Sequence, residues 1–301
     1  MCEIERTCFH NRMLPSAPAK RLRSDRFVWA LQRRLGLHVT GVAAEVAQLL
    51  RQRGVPVDFL GDYFTSKGDH KAPHDQGVRV WHDMAQASAT TAVVLGDKER
   101  PEVYRIYNDT HVLDLGEPRQ GKGGVDRVIE NKVFDPVASS RPDASCTDRG
   151  STHAFGSTEE KAIRRNYGVA ARGGTRGWDH RAGVGCVPAH RGDYDDAINR
   201  KGNEFWLVLM EVFGGLAPEG VKLFNLYSQR ARVGTDRTEY VANDSATRGP
   251  HPFAPHWAQL LSAAVVEGDA SRSLRAVDKA RSDILLWSIR SAPPPAPRAR
   301  A

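Results

Sequence analysis

Apolar residues recur along this chain with two different periods, and the change from one to the other divides it into segments. In "DRFVWALQRRLGL", Phe27, Ala30, Leu31 and Leu35 fall at helical spacing, and "VAAEVAQLLRQRG" repeats the pattern until Gly54 stops it. "HDQGVRVWHDMAQAS" predicts another helix, with Val78, Trp81 and Ala85 on one face. Short β-rich segments follow: "TAVVLGD", "EVYRIYND", "HVLDLGE" and "DRVIENKVF", each bounded by Gly, Asp or Pro. After a polar loop, "STEEKAIRRNYG" predicts a helix that Ser157 and Glu160 open as a capping box and Gly168 ends.

"AGVGCVPA" reads as a short strand and "DYDDAINRKG" as a short helix. "FWLVLMEVFGGL" is a buried segment whose pattern does not separate strand from helix. "APEGVKLFNLYSQRARV" predicts an amphipathic helix with Pro218 in its first turn. A last long helix runs through "HWAQLLSAAVVEGDASRSLRAVDKARSDILLW", with a break expected near Gly268. The order of helices, strands, helix, strand and helices predicts an α/β layered fold. Residues 1–23 read as a flexible basic terminus, 24–60 as a helical extension, 61–290 as the α/β domain and 291–301 as a disordered Pro/Arg tail.

Length and charge narrow the classes. The 301 residues suffice for a sizeable core, and 43 Lys and Arg against 36 Asp and Glu leave a net charge of +7. That balance favours polyanionic partners, nucleic acid first. No stretch approaches the roughly eighteen apolar residues of a membrane span, and "MCEIERTCFHNRM" lacks a signal-peptide core, so the expectation is a soluble intracellular protein with the nucleus open to it and no membrane partner. Cys2, Cys8, Cys146 and Cys186 form no C-x-x-C pair, and no zinc site is expected. "GKGGVD" precedes a strand, whereas phosphate-binding glycine loops open a helix.

The chemistry concentrates in "HVLDLGEPRQGKGGVDRVIENKVF". Glu130 and Lys132, two apart on a strand, project from one face with α-carbons about 7 Å apart. The glycine-rich connection suits an antiparallel hairpin, which sets Asp114 beside Glu130. Asp126 lies about 13 Å from Glu130 along the same strand, too far to share an ion with it. Two adjacent carboxylates repel unless a hard divalent cation takes their oxygens. Mg²⁺ is the expected ion, with Mn²⁺ as its alternative, and Lys132 stands near whatever it holds. Such a group suits phosphodiester hydrolysis. The bland alternative is a solvated Glu130–Lys132 pair on an edge strand, worth under about 1 kcal/mol.

An acid followed across a hairpin by E-x-K resembles the PD-(D/E)XK, or restriction-endonuclease-like, nuclease superfamily. The resemblance implies a core of helix, three-strand antiparallel meander, helix and further strand, with added N- and C-terminal helices. Asp114 and Glu130 would be metal ligands, and Lys132 the positioning and charge-stabilising residue. Separately, "RFVWALQRRLGLHV" with "LGDYFTSKGDHKAPHDQGVRVWHDMA" resembles the region after the reverse transcriptase in non-LTR-type retroelement polyproteins. Gly61 and Asp62 match its G-D, and His74, Asp75 and Arg79 match its following helix, while Tyr63 stands in place of a histidine. The implied protein is a metal-dependent endonuclease of mobile-element descent, acting on DNA ahead of RNA. The alternatives are a non-catalytic nucleic-acid-binding remnant of such an element, or an inert assembly protein.

Supporting residues divide into acids and bases. Asp75 and Glu211 are further acid candidates, Glu211 favouring a structural hydrogen bond because it interrupts "FWLVLMEVFGG". His74 and His82 read as structural or surface residues. Lys161, Arg164 and Arg165 share a helical face, with Ile163 and Tyr167 opposite, and are expected to hold phosphates. Arg172, Arg176 and Arg181, interleaved with Trp178 and His180, suit backbone contact plus base stacking.

Overall fold

The computed structural model describes residues 23–67, 71–88, 90–94, 113–134, 162–169, 189–212, 214–233 and 253–290. Helices α1 (Ser24–Leu35), α2 (Val42–Gln52), α3 (Asp62–Lys67) and α4 (Lys71–Ala87) lead into strands β1 (Val93–Val94), β2 (Leu115–Glu117) and β3 (Arg127–Phe134). A helical turn, α5 (162–167), and the short strands β4 (Gly168–Val169) and β5 (His190–Arg191) follow. Strand β6 (Glu204–Glu211) and helices α6 (Pro218–Val233) and α7 (Phe253–Arg290) complete the chain order. The fold is mixed α/β. Among the described residues no helix is long and apolar enough to cross a membrane.

The main sheet has the order β1-β2-β3-β6. β1, β2 and β3 form an antiparallel meander, and β6 lies parallel to β3 with Glu130 opposite Leu207 and Lys132 opposite Leu209. That pairing settles "FWLVLMEVF": a strand covered on both faces reads as continuously apolar because neither side meets water. Trp206, Val208 and Met210 face a core shared with Trp81 and Met84 of α4, Leu223 and Tyr227 of α6 and Leu261 and Val265 of α7. Phe205, Leu207 and Leu209 face the other layer, with Val128, Tyr194, Ala162 and Tyr167.

A third apolar cluster joins α1, α2 and α3 to the second half of α7 through Trp29, Val46, Phe64, Ala270, Val277 and Ile284. Here the predicted face of α1 is rotated. Trp29, Ala30 and Arg33 are the buried residues, whereas Leu31 and Leu35 are exposed. The cause is Arg33, which enters the interior because Asp269 meets its guanidinium at 2.8 Å and Asp62 at 3.2 Å. Asp62 is therefore held in an ion pair between helices. Its neighbour Gly61 has φ +87°, and a β-carbon there would stand 2.8 Å from Val39 and 2.9 Å from Trp29.

Other sequence expectations fare variously. α2 ends before Gly54, whose φ is +78°, α5 ends at Gly168, with φ +81°, and Pro218 is the first residue of α6. "DYDDAINRKG" forms a π-helical turn at Asp196–Arg200. The break expected at Gly268 is absent, since α7 runs unbroken for 38 residues. On α5 Tyr167 packs on the core as expected, joined by Ala162 and the buried Asn166, whereas Ile163 is 38% exposed. "EVYRIYND", the capping pair Ser157 and Glu160, most of "AGVGCVPA" and the two terminal tails lie outside the described residues.

Candidate active site

The hairpin register decides the geometry. Leu115 pairs with Ile129 and Gly116 with Val128, so one step further Asp114 comes opposite Glu130. The ladder bends there. The Asp114 amide donates to the Ile129 carbonyl at 3.1 Å, and its own carboxylate accepts the Asn131 amide at 2.6 Å. A side-chain oxygen thus replaces a strand carbonyl, which fixes Asp114 against β3. At the opposite end of the hairpin, Asp126 accepts the Arg119 amide at 2.9 Å and serves the turn.

Glu130 is only 3% exposed. Its Oε1 meets Lys132 Nζ in an ion pair, and its buried Oε2 forms no complete hydrogen bond among the described residues. Burial, then the charge of Asp114, push the Glu130 carboxyl up to about 7, against the pull of Lys132. Lys132 is partly exposed and stands 5.9 Å from the centre of the Tyr194 ring. Tyr194 is buried, stacked on Phe205 at 4.9 Å, and its hydroxyl is pushed far above its ordinary range by burial and by the charge of Glu130.

His74, in the first turn of α4, also belongs to this group. Its Nε2 lies 3.1 Å from Asp114 Oδ2 and its Nδ1 lies 3.0 Å from Asp75 Oδ1. Burial opposes charge on the ring, but the hydrogen bond and charge of Asp114, aided by Asp75 and Glu130, overcome it and lift the imidazole to about 9. With a carboxylate acceptor at each nitrogen, the ring is a double donor.

The chain matches no protein-family model, no curated protein and no solved structure.

Asp114, Glu130 and Lys132 are therefore brought together, and the other expected residues are distributed around or away from them. Asp75 is half exposed and touches the group through His74. Glu211 is buried at the end of β6, where its charge acts on Arg34 of α1. Arg165 is exposed and bonds Asp193 at 2.7 Å, while Arg164 is half-buried. Lys161, Arg172, Arg176 and Arg181 lie outside the described residues. Two members of the group are not apparent from the sequence. His74 reads there as a structural or surface residue, and its match with Asp75 and Arg79 to the retroelement helix is the signal that points to it. Tyr194 comes from a loop some 60 residues beyond Lys132, and only the tertiary fold brings it in.

A divalent cation fits the donors present. Two opposed carboxylates with a buried Oε2 supply hard oxygen ligands of the kind that Mg²⁺ takes. Among the described residues no three or more His, Cys, Asp or Glu side chains are grouped so that together they could hold a metal ion. A magnesium ion held by one or two carboxylates keeps waters and substrate oxygens as its other ligands.

Proposed function

We propose that this protein is a Mg²⁺-dependent nuclease with a restriction-endonuclease-like core, hydrolysing phosphodiesters of DNA ahead of RNA. The observation that carries the reading is the β2–β3 register, which sets Asp114 opposite Glu130 with Lys132 two residues on. The order α4, β1, β2, β3, α5 and, after the separate β4–β5 pair, β6, with an antiparallel meander and a parallel last strand, supports the core. Descent from a mobile element rests on the motifs around Gly61, Asp62, His74 and Asp75.

Asp114 and Glu130 would hold the cation, which when bound polarises the phosphate and acidifies a water. Lys132 gives up its bond to Glu130 and turns its ammonium toward the attacking oxygen, orienting it and offsetting charge that develops on the phosphate. Burial of Glu130 keeps bulk water off the inner side of the pair. The second reading, nucleic-acid binding without cleavage, draws on the net charge of +7 and on the closed Lys132–Glu130 pair.

Plasmid nicking by the purified chain separates the two. Cleavage that requires Mg²⁺ and is lost in both Glu130→Ala and Lys132→Ala supports the nuclease. Cleavage indifferent to these substitutions removes it, and salt-dependent binding without cleavage supports the second reading.

A further inference from the structure

We infer that His74, braced by Asp75, is a positioning residue that orients Asp114 for cation binding; this rests on the two-carboxylate reading above. The argument lies in how the four oxygens of the pair are used. Asp114 Oδ2 accepts two donors, the Asn131 amide at 2.6 Å and His74 Nε2 at 3.1 Å. Oδ1 accepts none among the described residues. On the facing strand Glu130 Oε1 is taken by Lys132, while Oε2 is buried with no fully formed hydrogen bond among the described residues, the Tyr194 hydroxyl being the donor directed at this carboxyl. One oxygen on each acid is thus committed to the protein and one forms no complete hydrogen bond among the described residues.

A single amide would locate Oδ2 but leave the carboxylate free to turn about its own axis. A second donor from a different element sets the plane, and with it the direction of Oδ1. His74 can do this because both of its ends are fixed. Asp75 Oδ1 holds Nδ1 at 3.0 Å, which prevents a ring flip. The helical turn carrying it is seated against α7, where a β-carbon on Gly268 would stand 2.5 Å from Pro73. Outer groups that orient carboxylate ligands in this way govern metal affinity by roughly 10- to 100-fold.

The test uses the full chain and Mn²⁺ as the probe, with free Mn²⁺ followed by electron paramagnetic resonance. Wild type should bind Mn²⁺, and Glu130→Gln should lose it. His74→Ala should weaken binding about 10-fold or more. His74→Gln, whose amide nitrogen can still donate to Asp114, should recover most of the loss. If wild type does not bind, or Glu130→Gln binds equally well, the two-carboxylate reading itself fails. If Glu130→Gln loses the ion but His74→Ala holds it as tightly as wild type or more tightly, the inference on His74 alone is overturned. It is overturned equally if His74→Gln is as weak as His74→Ala. Circular dichroism checks each fold, and His74→Asn, too short to reach Asp114, replaces the alanine variant if that one is unfolded.

Discussion

Gly268 of α7 and Pro73 of α4 are in backbone contact, with no room between them for a side chain: an added β-carbon would lie 2.5 Å from Pro73 Cα and 2.8 Å from its nitrogen. In mid-helix, alanine ordinarily outperforms glycine. Here Gly268→Ala should destabilise the protein by about 1–3 kcal/mol, because neither backbone can yield without separating the helices. Urea unfolding measures it, and an unshifted midpoint would mean that α7 slides freely past α4.

The two titrating neighbours of Asp114 make the metal-free protein less stable as pH rises. Glu130 has a folded pKa raised to about 7, so between about 4.5 and 7 the unfolded chain ionises more readily and stability falls. His74 is raised to about 9, so its contribution is complete below about 6.5 and is lost as pH climbs through 9. Thermal melts from pH 5 to 9 in a chelator should therefore decline throughout. Glu130→Gln should flatten the lower half, sparing on the order of 2 kcal/mol near pH 7.5, and His74→Gln the upper half. A melting temperature that rises across this range in wild type would contradict both assignments.

Asn131, the middle residue of "ENK", points away from Glu130 toward α4. It is fully buried, its side-chain nitrogen and oxygen have no hydrogen-bond partner among the described residues, and a β-carbon on Gly77 of α4 would stand 3.1 Å from its Nδ2. Asn131→Leu keeps the branching and removes two unsatisfied polar atoms, while the backbone amide that serves Asp114 remains. The variant should gain about 1 kcal/mol in chemical denaturation. A loss would reveal a polar neighbour that the apolar side chain displaces.

Asp269 receives Arg33 at 2.8 Å and Arg272 at 2.7 Å in the interior. Asp269→Asn leaves the buried guanidinium groups of Arg33 and Arg272 facing a neutral amide where each now meets a carboxylate. The expected cost is about 3 kcal/mol or more, measurable as a drop in unfolding midpoint that added salt does not restore. Surface pairs such as Arg165–Asp193 should tolerate the same change with little effect.

The hairpin was legible in the residues themselves, since strand alternation and a glycine-rich turn leave few registers in which Leu115 and Ile129 are both inside. Helices whose apolar stripe is uninterrupted, such as that of Trp81 and Ala85, were equally legible. α1 misled because a buried arginine breaks the rule that charge faces water, and its partner Asp269 is 236 residues away. Gly268 misled for a related reason: its absence of a side chain answers a neighbouring helix and says nothing about its own continuity. His74 and Tyr194 reach the acid pair from separate elements, and no local period encodes that convergence.

The 38-residue span of α7, about 57 Å of helix, touches α1, α2, α3, α4 and α6. During synthesis it leaves the ribosome after all of them. Until then Arg33 has Asp62 but lacks Asp269, and the apolar cluster of Trp29, Val46 and Phe64 lacks its α7 side, so the first three helices should close last.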